Sequence, residues 1–237
     1  MADNALLLSK LEEAIKSHAP KFEVKFKDES KFMKLIDKIL FFNKTFMTGY
    51  ITTIGQKVYW QTRERYEGNK EASFNTLAHE FVHVMDSVNK PVTFTLGYLF
   101  PQILAAPGLI FALLLPLWIT LMALSIMSPW WLLMLLFLGF LAPIPSPGRK
   151  KAEVRGYGMS FLVRMWRYGN VSNWKYERSV DAFTGPNYYW MWPFEKQVRK
   201  ELDQFKQKEI PPFLENDPNP AWKVVRKVLE ENGGLHE

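Results

Sequence analysis

The stretch from Pro91 to Gly148 constrains the fold of this chain more than any other feature, because it contains no Asp, Glu, Lys, Arg or His. It runs for 58 residues and is rich in Leu, Ile, Phe, Ala, Met and Trp. About 20 apolar residues span a bilayer as a helix, so the stretch has room for two passes. A core helix does not need that length. The stretch therefore predicts an inserted apolar helical hairpin, either transmembrane or membrane-associated.

Prolines interrupt this predicted hairpin and leave its depth in the bilayer open. The part that follows Pro129 is short for a full crossing. Shallow or re-entrant insertion is therefore an alternative to two full passes. The four interruptions are Pro101, Pro107, Pro116 and Pro129.

The charges that flank the hairpin predict its orientation. Lys90 precedes it, and Arg149, Lys150 and Lys151 follow it. Basic flanks favour the cytoplasmic face, so both ends and the polar regions attached to them are expected on that side. The N-terminal residues 1–21 are charged and amphipathic, unlike a secretory signal.

The chain thus divides into three parts: residues 1–90, the hairpin at 91–148, and residues 149–237. Its net charge is +6 and its pI is near 9.3, values that suit either nucleic acid or an anionic membrane surface. The basic residues are dispersed and no recognition motif is visible, so nucleic acid is not expected as a partner. A lipid bilayer is the expected partner.

Outside the hairpin, the pattern of apolar residues predicts an α+β domain. Thr, Tyr, Ile, Val and Trp dominate residues 46–61 around Gly55-Gln56, which predicts two strands and a tight turn. Apolar residues at helical spacing predict the remaining elements. The expected helices are residues 5–17, 30–42, one that starts near Asn69 or Ser73 and runs to Asp86, one after Arg149, residues 194–208, and one around Trp222, Val225 and Leu229.

The motif His79-Glu80-Phe81-Val82-His83 indicates chemistry. On a helix, two histidines four residues apart lie one above the other, so both rings can reach one metal ion. Glu80 then lies beside a water molecule at that ion. The chain contains no cysteine, so a zinc ion must be held by histidine and carboxylate.

A catalytic zinc usually has three protein ligands and one open position, so the motif needs a third residue. No histidine lies between His83 and His236, and His236 is next to the end of the sequence. Glu153 is the first choice, because a hairpin that leaves and returns on one side brings it back to the histidines. Glu177, Asp181 and Asp86 are the alternatives, and Asp86 is better placed to hydrogen-bond a histidine ring.

These residue types predict hydrolysis. Zinc lowers the pKa of its water toward about 7, and Glu80 would take the proton as that water attacks a peptide carbonyl. A further donor usually stabilises the oxyanion. Tyr157, one turn after Glu153, is the first candidate, with Arg155, Tyr188 and Tyr189 as the others.

The flanked motif resembles those of the zincin metallopeptidases. The order of motif helix, membrane hairpin and glutamate helix is similar to the membrane-embedded gluzincins, which include the CAAX prenyl proteases and bacterial quality-control metallopeptidases. The likeness covers residues 70–160, but the usual E-x-x-A-D is here Glu153-Val154-Arg155-Gly156-Tyr157. It implies a zincin-like domain, Zn²⁺ and a protein or peptide substrate.

In that fold an edge strand next to the metal helix pairs with the substrate, which implies either residues 57–61 or residues 49–53, and the alternative is that the two strands form an ordinary structural hairpin. The competing hypothesis is a non-catalytic membrane-inserting or structural protein, for example of a phage or virion, in which zinc only joins helices. The aromatic run at residues 183–194 is expected to belong to an interfacial belt or to the core.

Overall fold

The computed structural model describes residues 3–39, 43–186 and 190–236. They form a mostly helical molecule with a small mixed sheet, so the α+β class is confirmed. In chain order the elements are α1 Asn4–His18, β1 Glu23–Phe26, α2 Lys31–Ile39, β2 Thr52–Ile54, β3 Lys57–Trp60, α3 Arg63–Gly68, α4 Lys70–Asn89, α5 Pro91–Leu99, α6 Ala106–Leu113, α7 Leu115–Ala123, α8 Pro147–Tyr168, α9 Asn173–Thr184, α10 Glu195–Asp203 and α11 Ala221–Glu231. Shorter 3₁₀ segments lie at Gln102–Ala105, Pro129–Leu141 and Pro212–Leu214.

The sheet has the order β1-β3-β2. β2 and β3 form the predicted hairpin, and the turn between them uses Gly55 at a φ of +60°. β1 was not expected. It pairs in parallel with β3, from Glu23 opposite Lys57 to Phe26 opposite Trp60. β3 is therefore the central strand, and its Val58, Tyr59 and Trp60 are buried.

Helix α4 lies at the centre of the molecule and packs against α1 and α8. It begins where the Asn69 side chain accepts a hydrogen bond of 2.9 Å from the backbone N–H of Ala72. It ends before Pro91, which starts α5. Its side chains are buried nearly all round because helices cover it on several sides. The fully buried residues that it contributes with α1 and α8 include Leu7, Leu11, Ile15, Phe74, Leu77, Phe81, Met159 and Leu162.

The apolar stretch does not form the two long helices that its composition suggests. It is divided into α5, α6, α7 and 3₁₀ segments. Pro101 separates α5 from the next segment, Pro107 and Pro116 stand in the first turns of α6 and α7, and Pro129 begins the last. Each proline lacks the N–H that a continuous helix requires and clashes with the turn before it.

Among the described residues, no single helix has both the length and the apolar composition needed to cross a bilayer. Only a pair of segments, Pro91–Leu99 with Gln102–Leu113, meets that criterion together, and the two are bent by 74°. Most of the large apolar side chains at the surface lie in this stretch. Leu113 is 81% exposed, Trp130 77% and Leu136 72%, which a buried core would not show.

The two ends of the apolar stretch meet. A Cβ at Gly148 would lie 2.2 Å from the carbonyl oxygen of Gly97, so the two backbones touch. The Ser146 hydroxyl donates to the carbonyl of Phe100, and the Gln102 amide donates to the carbonyl of Ile144 at 3.1 Å. The stretch therefore leaves the polar part of the molecule and returns at one place.

The C-terminal helix is joined to α4 by one buried side chain. The Asn219 amide donates to the carbonyl of Val82 at 2.9 Å and to Asp86 Oδ1 at 2.8 Å. Its own oxygen accepts the N–H of Ala221 at 3.0 Å, at the start of α11. Asn219 is 2% exposed, so no water replaces these partners.

We expect Asn219→Ala to lower the free energy of unfolding by about 2 kcal/mol, because it leaves buried groups without partners. For a chain of this size that is a fall in Tm of about 4–8 °C. Thermal unfolding in detergent, followed by tryptophan fluorescence, measures it. Asn216→Ala is the matched control, since Asn216 is exposed. Equal Tm values for the two variants would contradict this account of the α4–α11 contact.

Candidate metal centre

The two motif histidines project from the buried centre of α4. Their Nε2 atoms lie 3.2 Å apart, as the helical spacing predicts. His79 is 7% exposed and His83 5%, although polar side chains seldom reach such burial without partners.

Glu153 comes to the same point from α8. Its Oε2 lies 3.5 Å from Nε2 of His79 and 4.0 Å from Nε2 of His83. Two ligand atoms that are each about 2.1 Å from a tetrahedral zinc ion are about 3.4 Å apart. The three measured separations are close to that value, so the three atoms fit around one ion.

One of the three ligand atoms also lacks a hydrogen bond. Glu153 Oε2 is buried and accepts no hydrogen bond from the described residues. A buried carboxylate oxygen without a partner is costly, and a cation at this point would provide one. Two nitrogen donors and one oxygen donor suit zinc. The residues present therefore fit the ion that the sequence implied.

The electrostatics of the three residues are coupled. Burial alone would raise the pKa of Glu153, but the adjacent His79 and His83 outweigh it and hold that pKa at about 2. Burial lowers the pKa of His83 to about 4. Burial would likewise lower the pKa of His79, yet the Glu153 carboxylate raises it. An ionised Glu153 and a neutral His83 are the forms that bind a metal.

Gly156 lets α8 approach the site. A Cβ at this position would lie 2.5 Å from Nε2 of His79 and 2.6 Å from its Cε1, closer than atoms can pack. The position stands one turn after Glu153, where helical neighbours share a face. The absence of a side chain thus allows Glu153 and His79 to meet.

The apolar stretch contributes directly to the site through α5. The Tyr98 hydroxyl donates a hydrogen bond of 2.6 Å to Glu153 Oε1. Phe94 stacks on the His83 ring at 6.1 Å between centroids, and Tyr98 meets that ring edge-on at 6.3 Å. Hydrogen bonds of this kind orient a metal ligand.

A residue of the sheet holds Glu80 in place. The Thr53 hydroxyl, on β2, donates to Glu80 Oε2 at 2.7 Å. Burial raises the pKa of Glu80, while His79 and the Thr53 hydrogen bond lower it in part. One oxygen of the buried Glu80 carboxylate is therefore fixed by Thr53.

The other proposed third ligands lie elsewhere. Glu177 is exposed and forms a bidentate ion pair with Arg199, at 2.8 and 2.6 Å. Asp181 is exposed. Asp86 pairs with Arg155 at 3.2 Å and accepts from Asn219, so it does not take the expected histidine partner. The structure brings neither these three nor His236 into the ligand group.

Of the proposed oxyanion donors, one borders the site and another is paired elsewhere. The Tyr157 ring meets the His79 ring edge-on at 5.0 Å and packs on Phe183 at 5.5 Å, so Tyr157 borders the site. Arg155 points to Asp86 and also to Asp217, at 2.9 Å. Two acidic partners occupy its guanidinium, which argues against that role. Tyr188 and Tyr189 lie outside the described residues.

Sequence reasoning missed Thr53, Tyr98 and Gly156. Thr53 and Tyr98 carry no motif, and nothing in a single sequence shows that their hydroxyls reach Glu80 and Glu153. Gly156 had a signal, because it lies inside the helix that carries Glu153. Glycine inside a helix has a cost of about 1 kcal/mol, which indicates a packing reason.

A cleft of about 690 Å³ lies next to the site, between α5, the start of α8 and residues 212–218. Phe94 and Tyr98 line it, but the three ligands and Glu80 do not. The two aromatic side chains therefore lie between the cleft and the ligand atoms.

No protein-family model matches this chain, and neither a curated protein nor a solved structure matches it. Its function is therefore inferred from the geometry and chemistry of the site itself.

We expect Gly156→Ala to weaken zinc binding at least tenfold without removing a ligand, because the new methyl group displaces the His79 ring. Competition with a fluorescent zinc chelator measures the affinity. Gly68→Ala is the matched control, since a Cβ at Gly68 meets no atom within 4 Å. Unchanged affinity in Gly156→Ala would contradict the role of this contact.

Tyr98→Phe is expected to lower the zinc affinity about tenfold to 100-fold, because Glu153 loses its hydrogen-bond donor. The same competition assay checks it. Tyr176→Phe removes a similar bond, from a tyrosine hydroxyl to Asp203 at 2.9 Å, away from the site. If both variants bind zinc like the wild type, Tyr98 does not orient Glu153.

Proposed function

We propose that this chain is a membrane-associated zinc metallopeptidase that hydrolyses peptide bonds. The convergence of His79, His83 and Glu153 is the observation that supports it, and Glu80, which follows His79 in the sequence, is buried and accepts a hydrogen bond from Thr53. Zinc-dependent hydrolysis needs residues of these types: two imidazoles and a carboxylate for the ion, and a second carboxylate for the proton.

Glu80 is the general base of the proposed reaction. Zinc bound by the three ligands would polarise the substrate carbonyl and lower the pKa of a water molecule. Glu80 accepts the proton of the attacking water on the oxygen that Thr53 does not bind, and then gives it to the leaving amine. Thr53 keeps the carboxylate in one orientation through both transfers. Tyr157 is the proposed donor to the oxyanion, because its ring borders His79.

The strand order favours one of the two expected substrate strands. β3 is paired on both sides, so residues 57–61 cannot offer a free edge. β2 is the edge strand on the side of Glu80, and its Thr53 touches that residue. We propose that an extended peptide pairs with the outer edge of β2, which places its backbone beside the general base.

The number of ligands favours catalysis over a purely structural zinc site. Structural sites are normally closed by four protein ligands, whereas among the described residues this group has three. A site that only joins helices also does not need Glu80, a buried carboxylate that follows His79 in the sequence and is held by Thr53.

The exposed apolar surface of residues 91–148 supports the membrane association. Soluble proteins rarely expose so many large apolar side chains in one stretch, and a bilayer would cover them. The basic residues at both ends favour the cytoplasmic side for the zinc domain. The bend between α5 and the following segments suits shallow or re-entrant insertion.

Zinc content and hydrolysis together test the proposal. We expect about one zinc ion per chain in detergent-purified wild type, little in His79→Ala and Glu153→Ala, and a normal amount in Glu80→Gln. Glu80→Gln should lower the hydrolysis of fluorescein-labelled casein at least 100-fold, because the general base is lost. Elemental analysis and fluorescence release measure the two quantities.

Glu71→Gln on the same helix is the matched control, because Glu71 is exposed and distant from the ligands in sequence. It should keep both zinc and activity. Folded wild type that holds no zinc, although it was purified without chelator, would contradict the proposed metal site. Equal hydrolysis by wild type and Glu80→Gln would contradict the mechanism.

A further inference from the structure

Helix α2 carries an apolar stripe that no described part of the chain covers. Phe32, Leu35 and Ile39 are 50%, 55% and 59% exposed. At 100° per residue, they lie within about 60° of one another around the helix axis. They are distant in sequence from the apolar stretch at 91–148, so that stretch does not account for them.

The opposite part of α2 is firmly attached to the protein. Met33 is fully buried in a small cluster with Phe46 and Tyr59, and Ile36 packs against that cluster. Ser30 caps the helix by accepting a hydrogen bond of 3.2 Å from the N–H of Met33. The stripe is therefore presented on a fixed helix.

Three lysines lie directly beside the stripe. Lys31, Lys34 and Lys38 are exposed and occupy the sector that follows Leu35 around the helix. The order around α2 is thus a buried side, an apolar stripe and a basic edge. This order suits a helix in a bilayer surface, with the stripe among the acyl chains and the lysines at anionic headgroups.

The sheet connects α2 with the candidate metal site. Tyr59, which belongs to the cluster that supports α2, lies on β3 opposite Thr52 of β2. Thr53, the next residue of β2, donates to Glu80 Oε2 at 2.7 Å. Helix α2 and the proposed general base are therefore joined through two paired strands.

We propose that the stripe and lysines of α2 form a second membrane contact, which docks on an anionic lipid surface beside the metal site. This inference rests on the proposed membrane association of residues 91–148. A short helix binds a bilayer weakly alone, but it adds to an existing anchor. With two contacts the zinc domain has a fixed orientation, and its substrates are polypeptide segments close to the headgroups.

A second copy of the chain is a poorer partner for the stripe than a lipid surface. Three half-exposed side chains offer roughly 300 Å², well below the about 800 Å² that each partner contributes to a standard interface. Pairing two copies of α2 would also bring the lysines of both close together, which is unfavourable.

The test uses the fact that the chain contains no cysteine, so each introduced cysteine is unique. Leu35→Cys is labelled with an environment-sensitive fluorophore, and the full-length protein is reconstituted in phosphatidylcholine vesicles with and without phosphatidylglycerol. Spin-labelled lipid serves as the quencher. Leu113→Cys reports on the apolar stretch, and Glu13→Cys on exposed α1 is the negative control.

We expect lipid to quench the label at position 35 at least twofold more than the label at position 13, and more strongly with phosphatidylglycerol. Replacing Lys31, Lys34 and Lys38 together by Gln should remove that dependence on anionic lipid. If lipid quenches the label at position 113 but quenches the label at position 35 only as weakly as the label at position 13, the proposed α2 contact is overturned. The membrane association of residues 91–148 is then still supported.

Two other outcomes would also overturn the inference. If neither position 35 nor position 113 is quenched, the proposed membrane association fails together with the α2 contact. If the label at position 35 is shielded from aqueous iodide but not quenched by lipid, protein covers the stripe, and a second copy is its occupant.

Discussion

The close packing of α4 against α8 is the contact on which the site depends. At Gly156 the backbone of α8 lies so near the His79 ring that a single methyl group would not fit. This approach sets the 3.5 Å separation between Glu153 and His79. Two helices from sequence-distant parts of the chain thus supply one ligand group. Both elements are rigid and buried, which is the support that a precise ligand geometry requires.

Two sets of contacts position the apolar stretch relative to this centre. Backbone contacts between Gly97 and Gly148, and hydrogen bonds to the Phe100 and Ile144 carbonyls, hold the two ends of the stretch together. Its first helix then places Phe94 and Tyr98 on the ligands themselves. A sequence of this kind is easily divided into a soluble enzyme and a separate anchor. The contacts of α5 show instead that one wall of the candidate metal site is made from the stretch.

Much of the site followed from the sequence because the spacing of its residues is local. His79, Glu80 and His83 share a helix, so their mutual geometry is set by helical periodicity. Glu153 followed from the expectation that the stretch returns to its starting side. The roles of Thr53 and Tyr98 could not be predicted, because a contact between elements that are distant in sequence produces no periodic pattern. β1 was missed because its four residues are too few for the alternation of apolar and polar residues to stand out in the sequence. The two long apolar helices were expected from composition, and the prolines prevent them.

The hydroxyl of Tyr98 has a consequence for how the chain matures. Glu153 is oriented by a residue of the segment that is proposed to enter the bilayer, so the carboxylate has this hydrogen bond only when that segment has taken its place. On the proposed function, a chain whose apolar part was misplaced during synthesis would bind zinc poorly. Zinc binding would then follow membrane insertion in time, and a molecule that did not reach the membrane would remain inactive.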